Sequence, residues 1–232
     1  MKTSFWTKLL DLISPRLCVA CGRRLSAEQS VLCAGCMLHM PLTGFSSQPL
    51  DNPLARLFWG QFPVERATAM FYYEPHSESA EIVYTLKYRH RPEVGQQAGQ
   101  VLAHDLLAEG FFEGIDALVP VPLARKRQRQ RGYNQSEEIA RGISLATGLP
   151  IYNKVVERLD FKTSQTRLTP YERRENVEQA FRLLDARRIA HRHLLLVDDV
   201  ITTGSIISAC ARQLCQAEGV RISVLALGYS RS

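Results

Sequence analysis

The chain has 232 residues, 45% of them hydrophobic and 22% charged, which is the balance of an ordinary globular protein with room for a main domain and a small appendage. Its net charge of +6 favours anionic partners, among which nucleic acids and phosphorylated small molecules both count. No apolar run reaches the length needed to cross a bilayer, so membrane insertion is not expected.

In residues 1–17, Phe5, Trp6, Leu9, Leu10 and Ile13 fall at helical spacing, while Lys8 and Asp11 interrupt any signal-like core. The expectation is an amphipathic helix docked on the body of a cytoplasmic protein. Cys18, Cys21, Cys33 and Cys36 follow as two C-x2-C pairs separated by eleven residues. Four thiolates on two tight knuckles suit tetrahedral Zn2+, and a reducing compartment disfavours two disulfides. With four cysteine ligands no position is open for a catalytic water, so the zinc is expected to be structural. His39 is a spare ligand or a surface residue.

Residues 37–65, with their Pro, Gly and Ser content, read as a linker. A strand is expected over Ala67–Tyr73, and helices over Ser79–Tyr88 and Gly95–Leu107. Lys87, near the end of the first helix, reads as a solvated C-terminal charge. Asp116–Leu123 reads as the first strand of an α/β domain running into a proline-stiffened loop.

Residues 124–131 contain Arg125, Lys126, Arg127, Arg129 and Arg131. Such a run can be a solvated face or a nucleic-acid patch; its place between a strand and a helix favours a loop at the ligand-binding edge of a sheet. Asn134 or Ser136 should cap a helix that ends at Gly148. A second strand is expected over Ile151–Val156. The polar stretch from Arg158 to Asn176, with Thr163, Gln165, Thr166, Arg173 and Arg174, reads as a loop that closes over a site.

Leu194, Leu195, Leu196 and Val197 form an unbroken apolar run that suits a strand buried on both faces. Asp198 and Asp199 stand where that strand should end, and Thr202, Thr203, Gly204 and Ser205 make a small polar turn. A helical pattern runs from Ile206 to Leu214, and a last strand from Arg221 to Leu227. Strand, glycine turn and helix start make an anion site. Two carboxylates would repel a bare phosphate, but they can accept hydrogen bonds from the hydroxyls of a phosphorylated sugar. Gly204 is expected to admit the phosphate close to the backbone, with neither it nor the acids in the core. An ATPase reading of the acidic pair needs a Gly-x-x-x-x-Gly-Lys-Ser/Thr loop, which the chain lacks.

Residues 197–205 resemble the PRPP-binding motif of type I phosphoribosyltransferases. The resemblance implies Thr202–Ser205 as the phosphate loop and Asp198 and Asp199 on the ribose 2′ and 3′ hydroxyls. The tetracysteine, Val-Pro-Val-Pro-Leu with Arg-Gly-Tyr-Asn-Gln-Ser at 119–136, and Ser-Gln-Thr-x-Leu with Glu-Arg-x-x-Asn-Val and Ala-Phe at 164–181 extend the likeness over nearly the whole chain. Together they resemble the ComF family of competence and DNA-utilisation proteins, including its GntX-like members. Leu86-Lys87-Tyr88 fits that family as well, whereas His90 stands where it often has glycine.

The resemblance implies an α/β fold, a type I phosphoribosyltransferase-like parallel sheet flanked by helices, behind a small N-terminal zinc unit. The division expected is 1–45 for the first helix and zinc knuckle, 46–115 for a linker and hood-like segment, and 116–232 for the phosphoribosyltransferase-like domain. It also implies PRPP with Mg2+ at Asp198–Ser205. Catalytic candidates are Asp198, Asp199, Arg125 and Arg173; Lys126, Arg127, Arg131, Gln165, Thr166 and Arg174 are candidates for the pyrophosphate and the lid. Two readings stay open: transfer of phosphoribosyl to a nucleobase in salvage, or a non-catalytic competence factor that senses PRPP or binds a nucleic acid, such as single-stranded DNA, or a competence protein. The oligomeric state is open, a dimer being one option.

Overall fold

A computed structural model of the chain describes residues 15–26, 28–159 and 179–231. The expected N-terminal helix lies outside them, as do Gln165, Thr166, Arg173 and Arg174 of the expected closing loop. In chain order the main elements are α1 (Ala34–Leu38), α2 (Pro53–Arg56), β1 (Val64–Tyr72), α3 (Glu78–Tyr88), α4 (Pro92–Ala108), β2 (Ala117–Pro120), α5 (Arg125–Arg131) and α6 (Gln135–Thr147). There follow β3 (Val156–Arg158), β4 (Phe181–Leu183), α7 (Ala186–Ile189), β5 (His193–Ile201), α8 (Ser205–Leu214) and β6 (Arg221–Tyr229).

Four strands form one sheet in the order β1-β6-β5-β2, and every neighbouring pair is parallel. The α/β expectation therefore holds: this is a parallel sheet flanked by helices. β3 and β4 make a separate antiparallel pair. The alternation of β5 feeds two cores. Leu195 and Val197 join the core built with α3, α4, α6 and the cysteine unit, and Leu194 and Leu196 join the core built with α2 and α8. All four leucine and valine side chains are fully buried, as the unbroken apolar run required.

Three differences from expectation bear on the site. Residues 37–65 are not a loose linker: Asn52 caps α2 by accepting from the Leu54 and Ala55 amides, and Leu54 and Phe58 are completely buried beneath the sheet. Within the stretch expected as linker and hood, β1 pairs with β6 along the edge of the same sheet. The expected strand over Ile151–Val156 reduces to a bridge from Ile151 to Leu118, with β3 starting only at Val156.

The helices over the first core pack backbone against backbone. A Cβ on Gly142 would lie 1.9 Å from the Gln96 carbonyl oxygen, and one on Gly99 would lie 2.3 Å from that of Ile139. Glycine at both positions lets α4 and α6 touch, and α6 in turn lies against β5. Asn134 caps α6 through the Ser136 amide and Gly148 ends it in the left-handed region.

Candidate functional site

β5 does not end at the acidic pair. β6 runs on to Tyr229 and keeps β5 paired through Val200 and Ile201, so Asp198 and Asp199 sit inside the last stretch of the strand. Strand alternation turns them to opposite faces. Asp199 is buried, and its Oδ2 meets the Lys87 Nζ of α3 at 3.1 Å. Its Oδ1 accepts the Val200 amide at 2.6 Å. The Asp198 Oδ1 accepts the Ser136 hydroxyl at 2.9 Å and the Asp199 amide at 2.9 Å.

Burial pushes the Asp198 carboxyl up to about 7, and the neighbouring charge of Asp199 pushes the same way. The Asp199 amide, the Ser136 hydroxyl and the Lys87 ammonium oppose the shift. One carboxyl thus sits poised between its two protonation states near neutrality.

The turn that follows is open. Thr202, Thr203 and Ser205 are exposed, and the Thr203 and Ser205 hydroxyls lie 2.9 Å apart. Gly204 stands at φ 72° at the N-cap of α8 and supplies no side-chain cap, leaving the first amides of a ten-residue helix unclaimed by a side chain. Gly204 also has a packing role that its place in the turn does not announce. A Cβ there would come within 2.9 Å of the Phe58 ring, so this glycine serves the packing of the turn on the buried 53–62 segment. Replacing it would disturb that packing, contrary to expectation, and Asp199, also expected outside the core, is buried against Lys87 on the opposite side of the sheet.

The basic run is also corrected: it is the helix α5, not a loop, and none of its residues is buried. Arg125 pairs with Glu157 at 3.5 Å. Lys126, Arg127 and Arg129 are exposed and make no ion pair among the described residues. Arg131 turns away from the acids; its guanidinium donates to Gln135 Oε1 at 2.6 Å and lies 5.6 Å from the Tyr88 ring centroid.

The four cysteine sulfurs lie within 4.8 Å of one another. Those of Cys21 and Cys33 are 3.7 Å apart, close to the roughly 3.8 Å edge expected for thiolates about 2.3 Å from one tetrahedral centre. The donor set therefore fits a metal ion such as zinc. Arg23 Nε donates to the Cys21 sulfur at 3.3 Å and draws that thiol down to about 6. The Cys36 thiol donates to Glu78 Oε1 at 3.2 Å, which joins the knuckle to the first turn of α3. His39 is not in the cluster; its Nδ1 lies 2.7 Å from the Gly35 carbonyl oxygen. Cys210 is wholly buried and burial raises its thiol, as a core cysteine should show.

No family model matches the chain. It is 26% identical over 226 residues to the DNA utilization protein YhgH of Salmonella typhimurium, covering 93% of this chain and 98% of that one. The protein of the same name from Escherichia coli K12 matches with the same identity and coverage. A shorter stretch of 100 residues is 37% identical to Competence protein F of Haemophilus influenzae, over 43% of this chain and 44% of that one. These likenesses support the resemblance to the ComF family of competence and DNA-utilisation proteins.

Sequence reasoning misses two residues of the acidic centre in this chain. Lys87 reads as a solvated charge, yet its side chain is only 23% exposed. Its place in Leu86-Lys87-Tyr88 is the available signal. Ser136 reads only as a helix cap; that role falls to Asn134 and frees the Ser136 hydroxyl for Asp198.

Proposed function

We propose that this protein binds a phosphoribosyl ligand, PRPP with Mg2+, at Asp198–Ser205, and that it does so in the service of DNA utilisation, the role named for its relatives. The observation that carries the reading is the junction of β5 with α8. Two carboxylates, one held by Lys87 and one by Ser136, stand beside an exposed hydroxyl turn that opens a helix. The helix start and the Thr202, Thr203 and Ser205 hydroxyls supply donors for a 5′-phosphate, and the acids supply acceptors for ribose hydroxyls.

Mg2+ would neutralise the pyrophosphate when bound. Asp199 cannot serve sugar and Lys87 equally, so ligand binding would loosen that ion pair and release the ammonium toward incoming phosphate charge. In a catalytic version, a base nitrogen bonds to the anomeric carbon as its bond to pyrophosphate breaks, and the leaving charge is stabilised by Arg125, Lys126 and Arg127 of α5 with Arg173 and Arg174. In the knuckle, Cys18, Cys21, Cys33 and Cys36 would hold one structural Zn2+.

Calorimetry with PRPP and Mg2+ tests the reading, comparing wild type with a variant carrying Asp198→Asn and Asp199→Asn. Binding by wild type, weakened at least about tenfold in the variant, is expected, since each lost charge-assisted hydrogen bond is worth roughly 1.5–3 kcal/mol. Wild type that takes up no PRPP would end the phosphoribosyl reading.

A further inference from the structure

Helix α3 has one buried face, carrying Ile82, Val83 and Leu86, and an outer face on which Tyr84 and Tyr88 stand one turn apart. Both tyrosines are exposed, at 49% and 60%, and their ring centroids are 5.0 Å apart. The Arg89 guanidinium lies 5.5 Å from the Tyr84 centroid and that of Arg131 lies 5.6 Å from the Tyr88 centroid. Two adjacent aromatic rings thus stand half-exposed, each with a cation beside it.

The pair is held in place. The Tyr133 hydroxyl donates to the Leu86 carbonyl, and His90 Nδ1 lies 3.2 Å from the Arg131 carbonyl oxygen, tying the end of α3 to the end of α5. α5 then continues the positive surface with Lys126, Arg127 and Arg129, which have no carboxylate partner among the described residues. Arg125, Gln128 and Arg129 line a shallow concavity along it. Among the described residues the carboxylate paired within the platform is Glu81, 3.1 Å from Arg89.

α5 itself argues that these charges serve a ligand. Arg125, Lys126 and Arg127 crowd the positive end of its dipole, and Ala124 offers no cap. The arrangement costs helix stability and returns none through burial.

We propose that Tyr84 and Tyr88, framed by Arg89 and Arg131, form a stacking platform for single-stranded DNA whose phosphates run on to α5. Single strands expose the π-faces that such rings stack on, and a cationic track beside the rings neutralises the backbone. Duplex DNA hides those faces, and an acidic peptide would need the charges but not the rings. The inference rests on the DNA-utilisation part of the proposed function and not on the phosphoribosyl part.

Fluorescence anisotropy with labelled oligonucleotides of about a dozen nucleotides tests it, within the span that such platforms cover. Wild type should prefer single strands to duplex. Tyr84→Ala and Tyr88→Ala should each weaken binding roughly 5- to 150-fold, the range for losing one stacked base. Tyr84→Phe and Tyr88→Phe should keep it within about twofold, since the ring and not the hydroxyl stacks. Glu81→Gln should tighten binding by releasing Arg89, an effect that no merely structural role of the tyrosines produces. Arg131→Gln should lower the slope of log affinity against log salt by about 0.7.

Equal affinity for duplex and single strands, or alanine variants that bind as wild type does, would overturn the platform. The titrations contain no PRPP, so a failure of the platform and a failure of phosphoribosyl binding are told apart. The exposed tyrosines allow alanine without loss of core packing, and circular dichroism verifies that each variant is folded.

Discussion

The molecule gathers anionic groups in two places and builds them in opposite ways. The knuckle draws four sulfurs from one stretch, residues 18–36, with Arg23 beside Cys21 as local counter-charge. The acidic pair draws its counter-charge from Lys87 and its hydrogen bond from Ser136, each far away in sequence. One helix touches both: α3 meets Cys36 through Glu78 at its start and Asp199 through Lys87 near its end. A local cluster whose ligands repel one another needs a cation to exist at all. A cluster assembled by the fold is already compensated and gives way in smaller steps.

The largest effect should therefore come from the knuckle. One Zn2+ per chain is expected by elemental analysis of protein purified without chelator. Cys21→Ser should abolish it and unfold residues 15–40, since structural zinc is commonly worth on the order of 10 kcal/mol to such units. Limited proteolysis cutting within 15–40 in the variant and not in wild type is the readout. Less than about half an equivalent of zinc in wild type would dissolve the contrast with the acidic pair.

The same contrast explains what can be read from the chain alone. The cysteine spacing, the buried β5 run, the Asn134 cap and the α8 helix are local signals, and all appear in the structure. Lys87 and Ser136 cannot be found by spacing, because only the fold brings α3 and α6 to the end of β5. The 37–65 segment misleads for a related reason. Pro53 is a good first residue for a helix and Asn52 a good cap, but Phe58 finds its partners only in the assembled core. α5 is hard to read as a helix because the charges of its first turn oppose its dipole and Ala124 offers no cap.

Breaking the ion pair in the acidic centre comes next in size. Lys87→Met keeps the length of the side chain and leaves the buried Asp199 beside Asp198 without its cation. A loss of about 2–3 kcal/mol in denaturant stability is expected at pH 7.5, less than for a wholly buried pair because both groups keep some contact with water. Adding Asp199→Asn should recover most of it. The recovery separates a charge effect from a packing effect, since the double variant has lost the same methylene contacts. No recovery would mean that Lys87 acts only through its stem.

Asp198 gives an effect that depends on pH. Its folded carboxyl is raised to about 7 from an ordinary value near 3.8. The stability it contributes is complete below the ordinary value and is lost as pH rises through about 7. His193 works the other way. Burial, with the Arg221 charge behind it, lowers its imidazole, so its contribution is lost as pH falls below the ordinary histidine range. Wild-type stability alone mixes the two, but the difference between wild type and Asp198→Asn isolates the acid. The variant should gain on wild type as pH rises from the ordinary carboxylate range to about 7, and the difference should level off above that. A flat difference throughout would show that folding leaves the Asp198 carboxyl at its ordinary value.

His90 offers the smallest and sharpest comparison, because it sits where the two regions' shared helix α3 hands over to α4. It holds φ at 51°, a left-handed backbone that costs a side chain roughly 1–2 kcal/mol. The turn therefore keeps the shape glycine would take, although the residue is histidine. His90→Gly removes that strain, but it adds unfolded-state entropy worth about 0.5–1 kcal/mol and forfeits the contact with the Arg131 carbonyl. The terms nearly cancel, so thermal stability should move by less than about 1 kcal/mol. Oligonucleotide binding should move more, because the imidazole ties Arg131 and Tyr88 to the same corner. A stability loss well beyond about 1 kcal/mol with unchanged binding would place the histidine in the scaffold of the turn and free the platform from it.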